Sequence, residues 1–443
     1  MLAGHWSLTD PVTDGGTMDS RQQISGVPDG TLGPGGHWRN WVGNQSCIAR
    51  HRNAPRSEDE LASLVAQATR HGLNTRVAGS GHSFTPIVAT GGLLLSLQHL
   101  QGILAVDRER KLVTVAAGSR IGDVGRALKA LGLSLKNQGD IDSQALAGAL
   151  STGTHGTGKT LGNMSSQAVG MRLVQPDGSI LEADDAGILH AAQVSLGVLG
   201  VISALTLKVT DAYNLQETIW RADFAECLEA HDELAANNRH FAFFWCPVQG
   251  SRQLYCLPDT AAAPRTRTQK TSDVCEMKIM NVTDAPPSTA AHGFEKVAYS
   301  SEIYPIEYVP NFHELEYAIP AADGPAALCE VRDLMLQKHT DCIYPVEYRF
   351  TAGDPAWISP FHERDSVTIS VSGGPGMDYW AYLGDVDAIL RRYAARPHWG
   401  KLHFTHADDL DQLLPNINRF RALRRRLDPE GRFLNDHLRQ LFA

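Results

Sequence analysis

The chain has 443 residues, 43% of them hydrophobic, enough for two or three domains with buried cores. A formal net charge of -9, with no basic patch to offset the acid, excludes a nucleic-acid-binding protein. Seven scattered cysteines without C-x-x-C spacing predict reduced thiols, and no stretch is apolar enough to span a membrane, so a cytoplasmic protein is expected.

Residues 1–36, rich in Gly, Asp, Ser and Thr, read as a disordered lead. Asp10, Asp14 and Asp19 leave no apolar core for a signal peptide, and Met18 is an alternative start. Ser57-Glu58-Asp59-Glu60 spells a capping box for a helix whose apolar face is Leu61, Leu64, Val65 and Ala68 and which ends near Gly72. A short strand at Arg76-Val77 then runs into Ala78-Gly79-Ser80-Gly81-His82-Ser83-Phe84. The glycines there remove side chains that would keep backbone amides away from a phosphate-bearing cofactor. The dinucleotide fingerprint G-x-G-x-x-G is not met, because Phe84 stands where its third glycine belongs.

Strands follow at Leu93–Leu97 and Leu112–Val115, then a helix at Ile121–Leu131. A second glycine-rich stretch, Gly153-Thr154-His155-Gly156-Thr157-Gly158, comes after the small-residue run Ala145–Leu150. Two such loops imply one extended ligand, and the order of elements is α+β. The strand at Leu205–Val209 closes a first domain.

Beyond Tyr213 aromatic residues become more frequent, with Phe241–Trp245 a buried strand and Pro258–Thr271 a mobile loop. A helix is predicted over Gly324–His339, with Leu328, Val331, Leu334 and Met335 on one side. On the strand Val346–Phe350, Glu347 and Arg349 stand two apart and leave the same face. His398, His403 and His406 fall close together, but no carboxylate or cysteine completes a recognised spacing, so no metal is expected. The basic run Arg421–Arg426 reads as a solvated helix face beside Asp428.

Several short motifs recur in a fixed order: Asn40-Trp41-Val42-Gly43-Asn44, Pro55-Arg56-Ser57, the His82 loop, Leu135-Lys136-Asn137-Gln138-Gly139 and Gly153-Thr154-His155-Gly156. Glu347-Tyr348-Arg349, Arg396-Pro397-His398-Trp399-Gly400-Lys401 and Leu427-Asp428-Pro429-Glu430-Gly431 complete the set. In these the chain resembles the vanillyl-alcohol-oxidase-type flavoproteins, and within them the sugar-lactone and alditol oxidases. The resemblance implies an α+β fold of two domains: an FAD-binding domain over 37–211 and a cap of antiparallel sheet plus helices over 212–414, with 415–443 returning to the first domain. It implies FAD contacted by Gly79, Ser80, Gly81, Ser83, Phe84, Gly139, Gly148, Ser151, Gly153, Thr154, His155, Gly156, Val201 and His398. It also implies a covalent bond from an imidazole nitrogen of His82 to the flavin 8α-methyl group.

Oxidation of an alcohol by a flavin leaves negative charge on the reduced ring, which a cation must meet. Arg349 and Lys401, both in family motifs, are the expected cations, and Glu347 is expected to hold or deprotonate the substrate hydroxyl. Arg349 would also bind substrate oxygen, and His398 would pack beside Trp399 and orient Lys401. Gly139 stands where resembling oxidases have a small residue and the dehydrogenase branch has alanine, which favours O2 as acceptor and hydrogen peroxide as product.

The substrate pocket departs from both subfamilies. Asp140 takes the place of a serine in alditol oxidases, Ser370 replaces their histidine, and Ser372 keeps a hydroxyl where they have threonine. An acidic Asp140 suits a polyhydroxylated or amino-bearing sugar; its other reading is a loop aspartate capping nearby amides. Three alternatives stand beside a sugar-lactone or alditol oxidase: a dehydrogenase of the same fold serving a quinone or cytochrome, an oxidase of a specialised aminosugar, and a flavin-binding protein without turnover. Intact Glu347, Arg349 and Lys401 argue against the last.

Overall fold

The computed structural model describes residues 31–306 and 308–443, so most of the expected disordered lead lies outside the described residues. At its far end the chain is already held. Gly33 N–H donates to Asn53 Oδ1 and Asn53 Nδ2 to Thr31 O, both at 2.9 Å, and the first strand starts at Gly36. Asn53 is buried, and these bonds satisfy an amide that water does not reach.

The helix Glu58–Arg70 begins at Ser57, whose Oγ accepts the Glu60 N–H at 3.1 Å. The Glu60 carboxylate reaches back to Arg56 N–H at 2.7 Å, so only half of the capping box forms. Leu61, Leu64, Val65 and Ala68 are fully buried, as their spacing requires. This helix is the crossover that lets strands His51–Asn53 and Thr75–Ala78 both run parallel to Leu93–Ser96 between them. A second sheet is antiparallel, in the order Ile180–Ala183, Ala168–Val174, Val201–Lys208, Leu112–Ala116, Ile103–Asp107. One core joins both sheets, and Ile417, Phe420, Leu438 and Phe442 of the C-terminal helices pack into it.

The cap is a nine-stranded antiparallel sheet. Three of its strands run side by side in the order Val346–Thr351, Ser366–Gly373, His313–Pro320. Leu315, Tyr317, Val346, Tyr348, Ile369 and Val371 share a core with Leu328, Val331, Leu383 and Val386 of the helices Gly324–Gln337 and Trp380–Arg391. The residues between them, Glu314, Glu316, Glu347, Arg349, Ser370 and Ser372, therefore leave the opposite face.

Two expectations are corrected. The segment Pro258–Thr271 lacks regular structure but is tied down: Thr266 Oγ1 accepts the Arg221 N–H at 2.9 Å, and the buried Thr260 hydroxyl bonds Glu276. The helix Ile417–Leu427 is basic but only partly solvated, because Arg424 is buried and donates to Asp428 O at 2.9 Å, while Arg425 and Arg426 are exposed. All seven cysteines are free, and among the described residues no helix is long and apolar enough to cross a membrane.

Candidate functional site

The strand Thr75–Ala78 ends in the His82 loop, whose turn uses a left-handed Gly81 at φ 73°. The Asn40–Asn44 motif holds the carbonyls of this loop: Trp41 N–H bonds Gly81 O, Asn40 Nδ2 bonds Ser83 O, and Asn44 Nδ2 bonds Phe84 O, each at 2.9 Å. From the other side Phe84 N–H donates to Gly400 O at 2.7 Å and Thr85 Oγ1 to Trp399 O at 3.0 Å. Segments far apart in sequence are thus sewn together around His82.

The Trp41 ring stacks on His82 at 5.0 Å. His82 Nε2 lies 3.1 Å from Ser143 Oγ, whereas its Nδ1 is buried without a partner among the described residues. Burial, aided by Lys401 and Arg120, pushes the imidazole down to about 4. At neutral pH it is therefore uncharged and keeps a nucleophilic nitrogen.

The second glycine loop joins the first domain to the cap. Gly158 N–H donates to Phe350 O at 2.8 Å, and Thr157 Oγ1 accepts the Phe350 N–H at 3.1 Å, next to Arg349. Any side chain at Gly156 would collide with Gln138 O, 2.2 Å from its Cβ position.

Strand register assembles the charges. Ser370 lies opposite both Glu347 and Glu316, and Ser372 opposite Glu314. Glu316 is completely buried; its Oε1 accepts from His155 Nε2 at 2.7 Å, and its Oε2 from Arg349 Nη2 at 2.6 Å and from the Ser370 hydroxyl. Arg349 also lies 3.2 Å from Glu347 Oε2 and 3.7 Å from Asp140 Oδ2. Lys401 pairs with Glu314, with its ammonium 5.3 Å over the Phe84 ring. The two expected cations are thus not bare, since each already carries a carboxylate.

Burial pushes Glu347 up to about 8; Arg349 opposes this, while the charges of Asp140, Glu314 and Glu316 add to it. Burial also works against Glu316, but Arg349 and then His155 outweigh it and hold that carboxyl well below its ordinary range. Two neighbouring carboxyls are thereby driven apart, one kept protonated and one kept charged. Burial pushes His398 down to about 3, and its neutral Nδ1 accepts the Gly400 N–H at 3.1 Å, beside Lys401.

One cleft, with about 2100 Å³ of empty space including its solvent mouth, brings together Gly79, Ser80, Gly81, His82, Ser83, Phe84, Asp140, Gly148, Ser151, Thr154, His155, Val201, Glu347, Arg349, His398 and Lys401. Gly139, Gly153, Gly156, Ser370 and Ser372 do not line it. A Cβ on Gly139 would sit 3.0 Å from Thr154 Cγ2, Ser370 is committed to Glu316, and Ser372 accepts from Tyr255 OH at 2.6 Å. Among the described residues no N–H caps the Asp140 carboxylate, which lies 3.7 Å from the Arg349 guanidinium.

Glu314 and Glu316 were not among the residues expected from sequence, nor were Tyr255, Tyr308 and Phe312, which also line the cleft. The signal for the two glutamates is their alternation with Leu315 and Tyr317, the same pattern that singles out Glu347 and Arg349. His403 and His406 do not join His398 in a cluster; His398 instead approaches His155 and Glu316, where Glu316 is already bonded to Arg349.

The family model described as D-arabinono-1,4-lactone oxidase matches residues 269–441, and the one described as FAD binding domain matches 50–184. An L-gulono-1,4-lactone dehydrogenase of Mycobacterium tuberculosis is 36% identical over 425 residues, 92% of this chain and 99% of that one. An alditol oxidase of Streptomyces is 31% identical over 91% of this chain and 98% of its own length. Among solved structures, a solvent-stable cholesterol oxidase superposes with a TM-score of 0.76 over 92% of this chain and 97% of that one, at 16% identity, a likeness of fold alone.

Proposed function

The chain belongs to the FAD-dependent sugar-lactone and alditol oxidoreductase family, and from that membership we propose that it oxidises a carbinol of a sugar lactone, alditol or related sugar alcohol, with O2 as electron acceptor and hydrogen peroxide as product. The observation that carries this reading is the convergence of Glu347, Arg349 and Lys401 on the cleft that holds the His82 loop.

The residues fit FAD. His82 Nδ1 and Arg349 Nε are buried without partners among the described residues, and a Cβ added to Gly148 would meet no atom within 4 Å, room that a cofactor would use. The neutral imidazole of His82 is the nucleophile suited to a covalent link. Bound FAD supplies the two-electron acceptor for the carbinol hydrogen.

The chain's own residues handle the proton and the charge. Glu347 faces the cleft; as a carboxyl it holds the substrate hydroxyl by a hydrogen bond, and as a carboxylate, above about 8, it takes that proton. Arg349, anchored by Glu316, offers its remaining N–H groups to substrate oxygen and to the charge that develops during oxidation. Lys401 adds a second positive charge, moderated by Glu314. Burial keeps water away from these groups and strengthens their fields.

Oxygen use is supported by Gly139, because a methyl group there would press on Thr154 in the cleft wall. A relative named as a dehydrogenase favours a carrier as the second reading. Anaerobic mixing with lactones and alditols should bleach the flavin, and admitting air should release peroxide. Bleaching without peroxide, with reduction of a quinone dye, would assign the carrier role, and no bleaching by any member would remove the activity.

A further inference from the structure

At the substrate end of the cleft, negative charge exceeds the positive charge available to balance it. Asp140, Glu314 and the adjoining Glu316 face two permanent cations, and the protonated Glu347 carboxyl stands among them. Lys401 is taken by Glu314, and Arg349 is closest to Glu316 at 2.6 Å, leaving Glu347 at 3.2 Å and Asp140 at 3.7 Å to share it. His155 spends its Nε2 on Glu316. Glu347, only 7% exposed and facing the cleft, accepts no hydrogen bond among the described residues. A neutral polyol supplies hydroxyl dipoles to these carboxylates but no compensating charge.

A second feature of the same wall is independent of the acids. Tyr255, Tyr308 and Phe312 line the cleft and pack edge to face on one another, with centroids 5.1 to 5.8 Å apart. The Tyr308 segment is fixed to the Asp140 loop by the Ile306 N–H, which donates to Asp140 O at 2.9 Å. Burial and the nearby Glu347 and Asp140 charges push the Tyr308 phenol up, so it stays neutral. Aromatic faces beside carboxylates form the surroundings that recognise an organic ammonium group.

We propose that the substrate carries an ammonium group, bound between the Asp140 carboxylate, a carboxyl oxygen of Glu347 and the aromatic wall of Tyr255, Tyr308 and Phe312, on a carbon other than the one oxidised. The inference rests on the sugar-oxidation reading above and narrows it to aminosugars and amino polyols. The ammonium is bound and not consumed.

The test compares D-sorbitol with 1-amino-1-deoxy-D-sorbitol on the holoenzyme at neutral pH, reading binding from the flavin's visible spectrum without oxygen and reduction from its bleaching. The amino compound is expected to bind about tenfold tighter or more, a preference that Asp140→Asn reduces by a similar factor. Equal or weaker binding of the amino compound overturns the inference, as does a preference unchanged in both Asp140→Asn and Glu347→Gln. If neutral polyols or lactones still bleach the flavin in that case, the sugar-oxidation reading stands; if nothing does, both fall.

Discussion

The first-domain wall of the cleft offers glycine loops, hydroxyls and backbone amides, whereas the cap wall presents buried charges from the two strands that flank Ser366–Gly373. A loop wall grips a large ligand by shape and amide contacts, and its side chains can be small because the backbone does the binding. A charged wall is costly to bury and is kept only by mutual pairing, which Glu316 provides by joining His155, Arg349 and Ser370. Damage to the first wall should therefore loosen the cofactor, and damage to the second should slow the chemistry.

Arg349→Ala is the sharpest way to separate the walls. It should slow flavin reduction by about a hundredfold or more, equivalent to about 3 kcal/mol, and Lys401→Ala should do the same. Removing Arg349 also leaves Glu316 charged and buried, at a cost of about 3–5 kcal/mol of stability. Rapid mixing and thermal unfolding read the two losses; near-normal reduction rates in both variants would take these residues out of the mechanism.

Glu316→Gln keeps the volume but removes the anchoring charge. We expect kcat to fall by about tenfold with little change in KM, since the guanidinium is misplaced rather than lost. An unchanged kcat would reduce Glu316 to a packing residue. His82→Ala, on the opposite wall, should leave FAD bound but extractable by acid denaturation; flavin that stays with the precipitated protein would refute the linkage.

Glu347 gives the pH dependence. If it must accept a proton, kcat/KM rises through about pH 8, and Glu347→Gln removes that limb. The sign for stability is opposite. Its pKa in the fold lies above the ordinary 4.5, so the native state holds the proton more tightly and stability falls as pH rises from about 4.5 to about 8. Glu347→Gln should accordingly raise Tm at pH 8 and above but not below pH 4.5; equal Tm shifts at both ends would contradict the raised value.

The loop wall is legible in the sequence because contiguous motifs build it: Asn40–Asn44 clasps the loop that Gly79 and Gly81 open. Glu347 and Arg349 are legible because two residues on one strand share a face whatever the strand pairs with. Glu314 and Glu316 are not, because their meaning comes from register, which sets Ser370 between Glu316 and Glu347 across three strands separated in the chain. The same non-local pairing explains why Ser370 and Ser372, read as substrate contacts, face Glu316 and Tyr255 instead. The aromatic wall escaped for another reason: Tyr255, Tyr308 and Phe312 lie outside the strands, in connections without a periodic pattern.

A crystal structure of the FAD-loaded enzyme tests the central claim most directly. The flavin ring is expected in the cleft between His82 and the cap strands, with its 8α-methyl carbon joined to the imidazole and its other end within reach of Arg349 and Lys401. A ring bound elsewhere, or one facing away from Glu347 and Arg349, would contradict the account.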